Sequence, residues 1–219
     1  MVGAGYGATF EGSDRSKALP VFDLNASFAG GRYFIGTQGI GFAPVLTETL
    51  TVKAAIGYGG GRKVKDDPTR LAGLGDLDDE VLGILSADYQ MGMVTLGGEI
   101  TAGADYGTTA KLALSTGVEC TDRITIGGEI GLTYADGTHM QRYFGVTPAQ
   151  SAASGKAVYG AGAGLKSASI LLTANYALSD KMGITLGVEQ RRLLEDAAAS
   201  PITLDADQSF AFAGVSVRF

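Results

Sequence analysis

The sequence predicts an all-β fold: one closed antiparallel transmembrane β-barrel of about twelve strands, occupying residues 1–219 as a single domain. Three observations carry that prediction. The chain is built from segments about ten residues long in which apolar and polar residues alternate. The connections between these segments are short at one end and long at the other. The last stretch, Ser209 to Phe219, keeps an uninterrupted apolar face of Ala211, Ala213, Val215, Val217 and Phe219. Its opposite face carries Phe210, Phe212, Gly214, Ser216 and Arg218. A strand that is apolar outside, polar inside and aromatic at the water boundary suits a membrane barrel wall. The closing strand of a soluble sandwich would alternate in the same way, so the other two observations decide.

Val2 to Phe10 places Val2, Ala4, Tyr6, Ala8 and Phe10 opposite Gly3, Gly5, Gly7 and Thr9. After the polar break from Glu11 to Lys17, Leu19 to Phe28 alternates Phe22, Leu24, Ala26 and Phe28 with Asp23, Asn25 and Ser27. Gly30-Gly31 reads as a tight turn. Arg32 to Thr37 and Ile40 to Leu46 form a short hairpin about Gln38-Gly39, its second strand weakened by Pro44. Leu50 to Tyr58 and Val81 to Tyr89 alternate again, separated by a long polar loop from Gly59 to Asp79. Lys111 to Cys120 and about Ser167 to Leu178 read in the same way.

The short turns are Gly30-Gly31, Thr47-Glu48, Met91-Gly92, Thr121 to Arg123 and Ser179 to Lys181. The long connections are Glu11 to Ala18, Gly59 to Asp79, Ala135 to about Ala157, and Glu195 to Gln208. That sorting is the asymmetry of outer-membrane barrels, with short turns periplasmic and long loops extracellular. It assigns the sense of the alternation, with the apolar face outward to lipid and the charged face inward.

Composition agrees and excludes. Hydrophobic content is 45% and no apolar run approaches the length of a membrane helix. A net charge of −6 with no basic stripe argues against nucleic acid as a partner. Cys120 is the single cysteine, which rules out an internal disulfide and multi-cysteine zinc sites. The chain starts on strand-like sequence at Val2, so a secretory signal peptide is expected to have been removed or to lie outside this chain.

An internal echo marks the charged face. Thr95-Leu96-Gly97-Gly98-Glu99-Ile100 recurs as Thr125-Ile126-Gly127-Gly128-Glu129-Ile130, and more loosely as Thr185-Leu186-Gly187-Val188-Glu189. The spacing of the first two copies is the length of one up-and-down strand pair. Glu99, Glu129 and Glu189 are expected in the lumen at comparable depth, with Lys53, Arg191 and Arg218 as candidate partners. Two readings stand: a polar plug of mutually paired charges, or a charged lining that selects small solutes. The lumenal glycines leave space for the second.

Catalysis has little to work with. His139 is the single histidine and reads as an exposed loop residue between Thr138 and Met140, with no nucleophile elbow in the chain. Gly59-Gly60-Gly61-Arg62-Lys63 lacks phosphate-loop spacing and reads as a strand exit. Asp76, Asp78, Asp79 and Glu80 lack a calcium-loop pattern and read as a solvated acidic loop. No catalytic residue, cofactor or metal is expected.

Several non-repeating stretches resemble one family: Phe10-Glu11-Gly12-Ser13-Asp14, Leu19-Pro20-Val21-Phe22-Asp23, and Gly73-Leu74-Gly75-Asp76-Leu77-Asp78-Asp79. Tyr143-Phe144-Gly145-Val146-Thr147-Pro148-Ala149-Gln150 and Ser200-Pro201-Ile202 complete the set. Together they resemble the MipA/OmpV family of Gram-negative outer-membrane proteins, across essentially the whole chain. The resemblance implies a barrel in outer-membrane lipid, non-catalytic, acting as a scaffold between a murein lytic transglycosylase and a bifunctional penicillin-binding protein. Other members look like antigens, adhesins or small-solute pores, which keeps a passive pore or ligand-binding barrel as the alternative. Val215, Val217 and Phe219 resemble the C-terminal signal by which the barrel-assembly machinery recognises its clients.

Overall fold

The computed structural model describes residues 1–37 and 39–218. The described residues form thirteen strands in one antiparallel sheet. The first six are β1 (Val2–Ala8), β2 (Ser16–Phe22), β3 (Asn25–Phe28), β4 (Tyr33–Gly36), β5 (Gly39–Leu46) and β6 (Leu50–Gly59). Then follow β7 (Glu80–Met91), β8 (Val94–Gly103), β9 (Gly107–Thr121), β10 (Ile124–Ala135), β11 (Gly164–Ala177), β12 (Met182–Leu193) and β13 (Asp207–Val217). Each strand from β3 to β13 pairs with its chain neighbour, and β1 sits between β13 and β2.

The ladder ends are β2 and β3, consecutive in the chain and separated only by Asp23 and Leu24. The sequence reads this run as one strand among about twelve; the sheet counts thirteen because Asp23 and Leu24 leave the ladder. The Asp23 carboxylate accepts from Asn25 and Thr37, turning its side chain to local partners. Pro44 lies at the irregularity between Phe42 and Val45, where β5 loses register with β6. Of the expected turn and terminal signal, Gln38 and Phe219 lie outside the described residues.

The three copies of the echo occupy β8, β10 and β12, each the strand that leaves a short turn. Along these strands the aliphatic positions are exposed: Ile100 at 48%, Ile130 at 54% and Val188 at 56%. Ile56, Leu112, Ile170 and Leu172 continue that exposed apolar face. A water-soluble sheet would bury this face, whereas hydrocarbon tolerates it and requires every backbone group to be paired within the wall.

The buried hydrophobic core lies elsewhere. Four short helices sit in the long connections: α1 (Pro68–Leu71), α2 (Gly137–Phe144), α3 (Pro148–Ser154) and α4 (Glu195–Ala199). Each is too brief to give a visible helical period, but three carry N-terminal caps. Asp67 accepts from the Arg70 amide, Asp136 from the His139 amide, and Thr147 with Gln150 forms a reciprocal capping box. The helices bury two apolar clusters at the long-loop rim. Met140, Phe144 and Ala197 pack with Ala135, Ala161 and Leu193 in one, and Phe10, Leu71, Leu74, Val146 and Ile202 form the other.

Candidate functional site

Two places concentrate the chemistry: the cap at the long-loop rim and the charged polar face below it. The cap is assembled from the non-repeating stretches. Ser200 Oγ donates to the Phe144 carbonyl at 2.6 Å, and Gln150 Nε2 donates to the Leu74 carbonyl at 2.6 Å. Arg62 Nη1 reaches the Tyr143 carbonyl at 2.8 Å. Ion pairs tie the β1–β2 connection and the start of β2 to the loop after β6: Lys17 to Asp66 at 3.2 Å, Arg70 to Asp14 at 2.6 Å and Arg15 to Asp67 at 3.6 Å. Four long connections thus close on one another through apolar burial, with polar ties fixing their register.

His139 is not the exposed loop residue its flanks predict. It lies in α2, 2% exposed, because the Asp136 cap turns the chain into a helix whose inner side faces the cap. Its ring packs against Tyr106 at 4.7 Å and Tyr143 at 4.6 Å between centroids, and Nδ1 donates to the Tyr106 carbonyl. Burial first, then the Lys166 charge, depresses its pKa to about 4, against the opposing pull of Glu11 and Asp136. The imidazole is thus held between two tyrosine rings, and its buried Nε2 has no hydrogen-bond partner among the described residues.

On the polar face, the register distributes the predicted carboxylates unevenly. Lys53 stands opposite Ser86, Ser86 opposite Glu99, and Glu99 opposite Lys111, making one row across β6 to β9. Glu129 and Glu189 lie on a different row, flanking Leu171. Glu129 takes Lys111 at 2.5 Å, and Glu189 takes Arg191 at 2.7 Å. Glu99 also accepts a long contact from Thr101. Lys53 lies over the Phe34 ring, and Arg218 sits at the short-turn rim, its amide donating to the Lys181 carbonyl.

Reading the T-x-G-x-E pattern alone misses Lys111, Lys166 and Glu11. Glu11 projects from the β1–β2 connection to Lys166 at 3.1 Å and Arg191 at 3.9 Å. It therefore joins the cap to the Glu189–Arg191 pair. The signal for Lys111 was available, because it directly faces Glu99 once two adjacent strands are aligned. Glu11 had none, since its partners lie more than a hundred residues away.

The glycines of the polar face do two different things. A Cβ at Gly5 or Gly7 would meet the Phe210 ring at 2.6 Å, and one at Gly187 would collide with Phe212. The two rings stack at 5.7 Å and occupy the space that these glycines vacate. Across the sheet, Lys53, Asp88, Gly97, Glu99, Lys111 and Glu129 line a polar recess of about 200 Å³. A second recess of about 290 Å³ lies at the short-turn rim among Glu119, Asp122, Arg123, Asp180, Lys181 and Arg218. Among the described residues, no cluster of metal-ligating side chains occurs.

An antiparallel sheet with an exposed aliphatic face, a charged opposite face and its core confined to a rim is the build of a transmembrane β-barrel protein. The fold is similar to the solved NanC porin, with a TM-score of 0.58 over 100% of both chains at 6% identity. Weaker likenesses reach OmpT of Vibrio cholerae, with a TM-score of 0.40 at 7% identity over 90% of this chain and 64% of that one. OmpF of Salmonella typhi also gives 0.40, at 13% identity over 92% of this chain and 56% of that one. No curated protein matches the sequence.

The chain belongs to the family described as MltA-interacting protein MipA, which matches residues 2–219. It is an outer-membrane protein, and family and fold together point to a non-enzymatic one.

Proposed function

We propose that the protein is a capped, non-conducting outer-membrane barrel that serves as a scaffold for peptidoglycan-remodelling enzymes at its short-turn rim. In this reading β2 and β3 are two halves of one wall strand, so chain continuity through Asp23 and Leu24 closes the barrel. The polar face then lines the lumen, the short turns face the periplasm, and the helical cap is extracellular.

The observation that carries the proposal is the contrast between the two rims. Two apolar clusters and a set of ion pairs pack the long-loop rim, which supports reading it as a cap. The short-turn rim instead presents an open recess of mixed charge, with Asp122, Arg123, Asp180 and Lys181 on adjacent turns. The family description names MltA as an interaction partner; taken as a periplasmic lytic transglycosylase, it would reach the short-turn rim in this orientation. A bifunctional penicillin-binding protein would join through that enzyme.

The test is co-purification from solubilised envelopes with a murein lytic transglycosylase, using the double reversal Asp122→Lys with Arg123→Glu. Loss of the partner with the barrel still folded supports the scaffold. Equal recovery by the wild type and the reversed variant removes this rim from the account.

A second reading has its own observation. The recess beside Gly97, with Lys53 and Lys111 facing Glu99 and Glu129, has room for a small polar solute. Steady bilayer conductance would favour that passive pore over the capped scaffold.

A further inference from the structure

Arg62 is the unusual charge of the cap. It is 94% buried by its 6% exposure, yet among the described residues no carboxylate stands within ion-pair distance of it. One guanidinium nitrogen is satisfied by the Tyr143 carbonyl, and Nε has no partner. A buried charge normally keeps an opposite charge, because desolvation otherwise disfavours it.

Its surroundings reinforce the positive sign. The Lys156 ammonium is held below its usual range, by burial first and then by the neighbouring Arg70 and Arg62 charges. Burial likewise pulls the Arg62 pKa down to about 10, against the opposing influence of the Tyr143 phenol.

Arg62 borders a cavity of about 200 Å³, walled also by Thr9, Phe10, Glu11, Gly60, Asp66 and Tyr143. The two acids there are already engaged. Asp66 holds Lys17 at 3.2 Å and the Lys63 amide at 3.1 Å, while Glu11 holds Lys166 at 3.1 Å. The positive charge left over belongs to Arg62. The two resident carboxylates repel a dianion such as phosphate about twice as strongly as a monoanion, and a single monoanion suffices to balance one guanidinium. Phe10 supplies an apolar wall for a short hydrocarbon body.

We propose that this cavity is a binding site for a small aliphatic monocarboxylate, held by Arg62 through the charge-assisted bonds its planar fork makes with a carboxylate. The site lies within the cap, apart from the short-turn rim, and its occupancy is independent of any partner there.

The test uses the folded, detergent-solubilised chain and sodium butyrate as the probe, titrated calorimetrically at constant ionic strength. Two variants separate binding from folding. Arg62→Gln removes the charge. Gly60→Leu adds apolar bulk at the cavity lining without touching the Arg62 side chain; a Cβ at Gly60 meets nothing within 4 Å, and the Gly60→Leu variant is checked for unchanged heat-modifiable folding. The expected result is saturable binding to the wild type, weakened about tenfold or more in each variant, as loss of a charge-assisted pair or its space requires. No saturable binding to the wild type, undiminished binding in Gly60→Leu, or equal binding of sodium phosphate would each overturn the proposal.

Discussion

Ser200 Oγ donates a 2.6 Å hydrogen bond to the carbonyl of Phe144, and both residues are fully enclosed although 56 positions separate them. This bond joins α2 to the segment after α4 and places Ile202 in the second apolar cluster of the cap. It marks where the fold keeps its hydrophobic core: at a rim, over a wall whose own aliphatic side chains face outward.

Phe144 is wholly buried in that cap, so Phe144→Ala should cost about 3–5 kcal/mol of cap stability. Because the cluster touches the sheet only at the strand ends Ala135 and Leu193, heat-modifiable migration of the barrel should persist. Limited proteolysis should cut faster between residues 137 and 163. Unchanged protection of those loops would show that the cluster does not hold the cap together.

The wall was legible in the sequence because a strand's period of two is local and each copy of the echo restates it. The T-x-G-x-E copies fall on β8, β10 and β12, the strands that leave short turns. The cap was not legible as structure, although its residues stood out as distinctive stretches. Its helices run from 4 to 8 residues, too short to show a period of 3.6. Thr147-Pro148-Ala149-Gln150, a capping box with proline at the first turn, and Asp67-Pro68 were the local signals of helix starts. The burial of His139 and the reach of Glu11 depend on loops meeting across the rim, which no local pattern encodes. Likewise the two-row placement of the carboxylates needs the strand register, which similar motifs alone do not set.

The two faces of β13 predict opposite responses to charge. Val217 is 50% exposed on the aliphatic face, whereas Ser216 points to the polar face and donates to the Gly183 carbonyl. Val217→Asp should impair folding into bilayers, by about 1 kcal/mol near the interface and more if the site sits deeper. Ser216→Asp should be milder. Equal folding yields would reverse the face assignment.

The Phe212 ring over Gly187 predicts a coupled pair. Gly187→Ala forces the ring aside and should destabilise the barrel by about 1–3 kcal/mol. Adding Phe212→Ala should recover part of that loss. Strict additivity in a double-mutant cycle would mean that the ring does not occupy the glycine's space in solution.

Cap stability should depend on pH through His139. Its folded pKa of about 4 lies below the unfolded value near 6.5, so the unfolded chain takes up the proton first as pH falls. The contribution is complete above about pH 6.5, declines as pH falls toward 4, and is level below that. His139→Phe keeps a ring between Tyr106 and Tyr143 and should flatten this slope. The check is proteolytic protection of the cap from pH 7 to pH 4; an unaltered slope in His139→Phe assigns it to other groups.

Glu129→Gln breaks the contact with Lys111, and should lower the melting temperature by the equivalent of about 1 kcal/mol. If the polar face is a plug, ion flux should stay at background in this variant. A change of cation preference with unchanged melting would favour the pore reading.

Planar-bilayer recording on the intact protein tests the capped barrel most directly. The wild type should give no conductance steps above lipid leak, and replacing residues 137–163 with a short turn should produce them. Stable, ohmic steps from the wild type would contradict the cap as a seal, and with it the non-conducting scaffold.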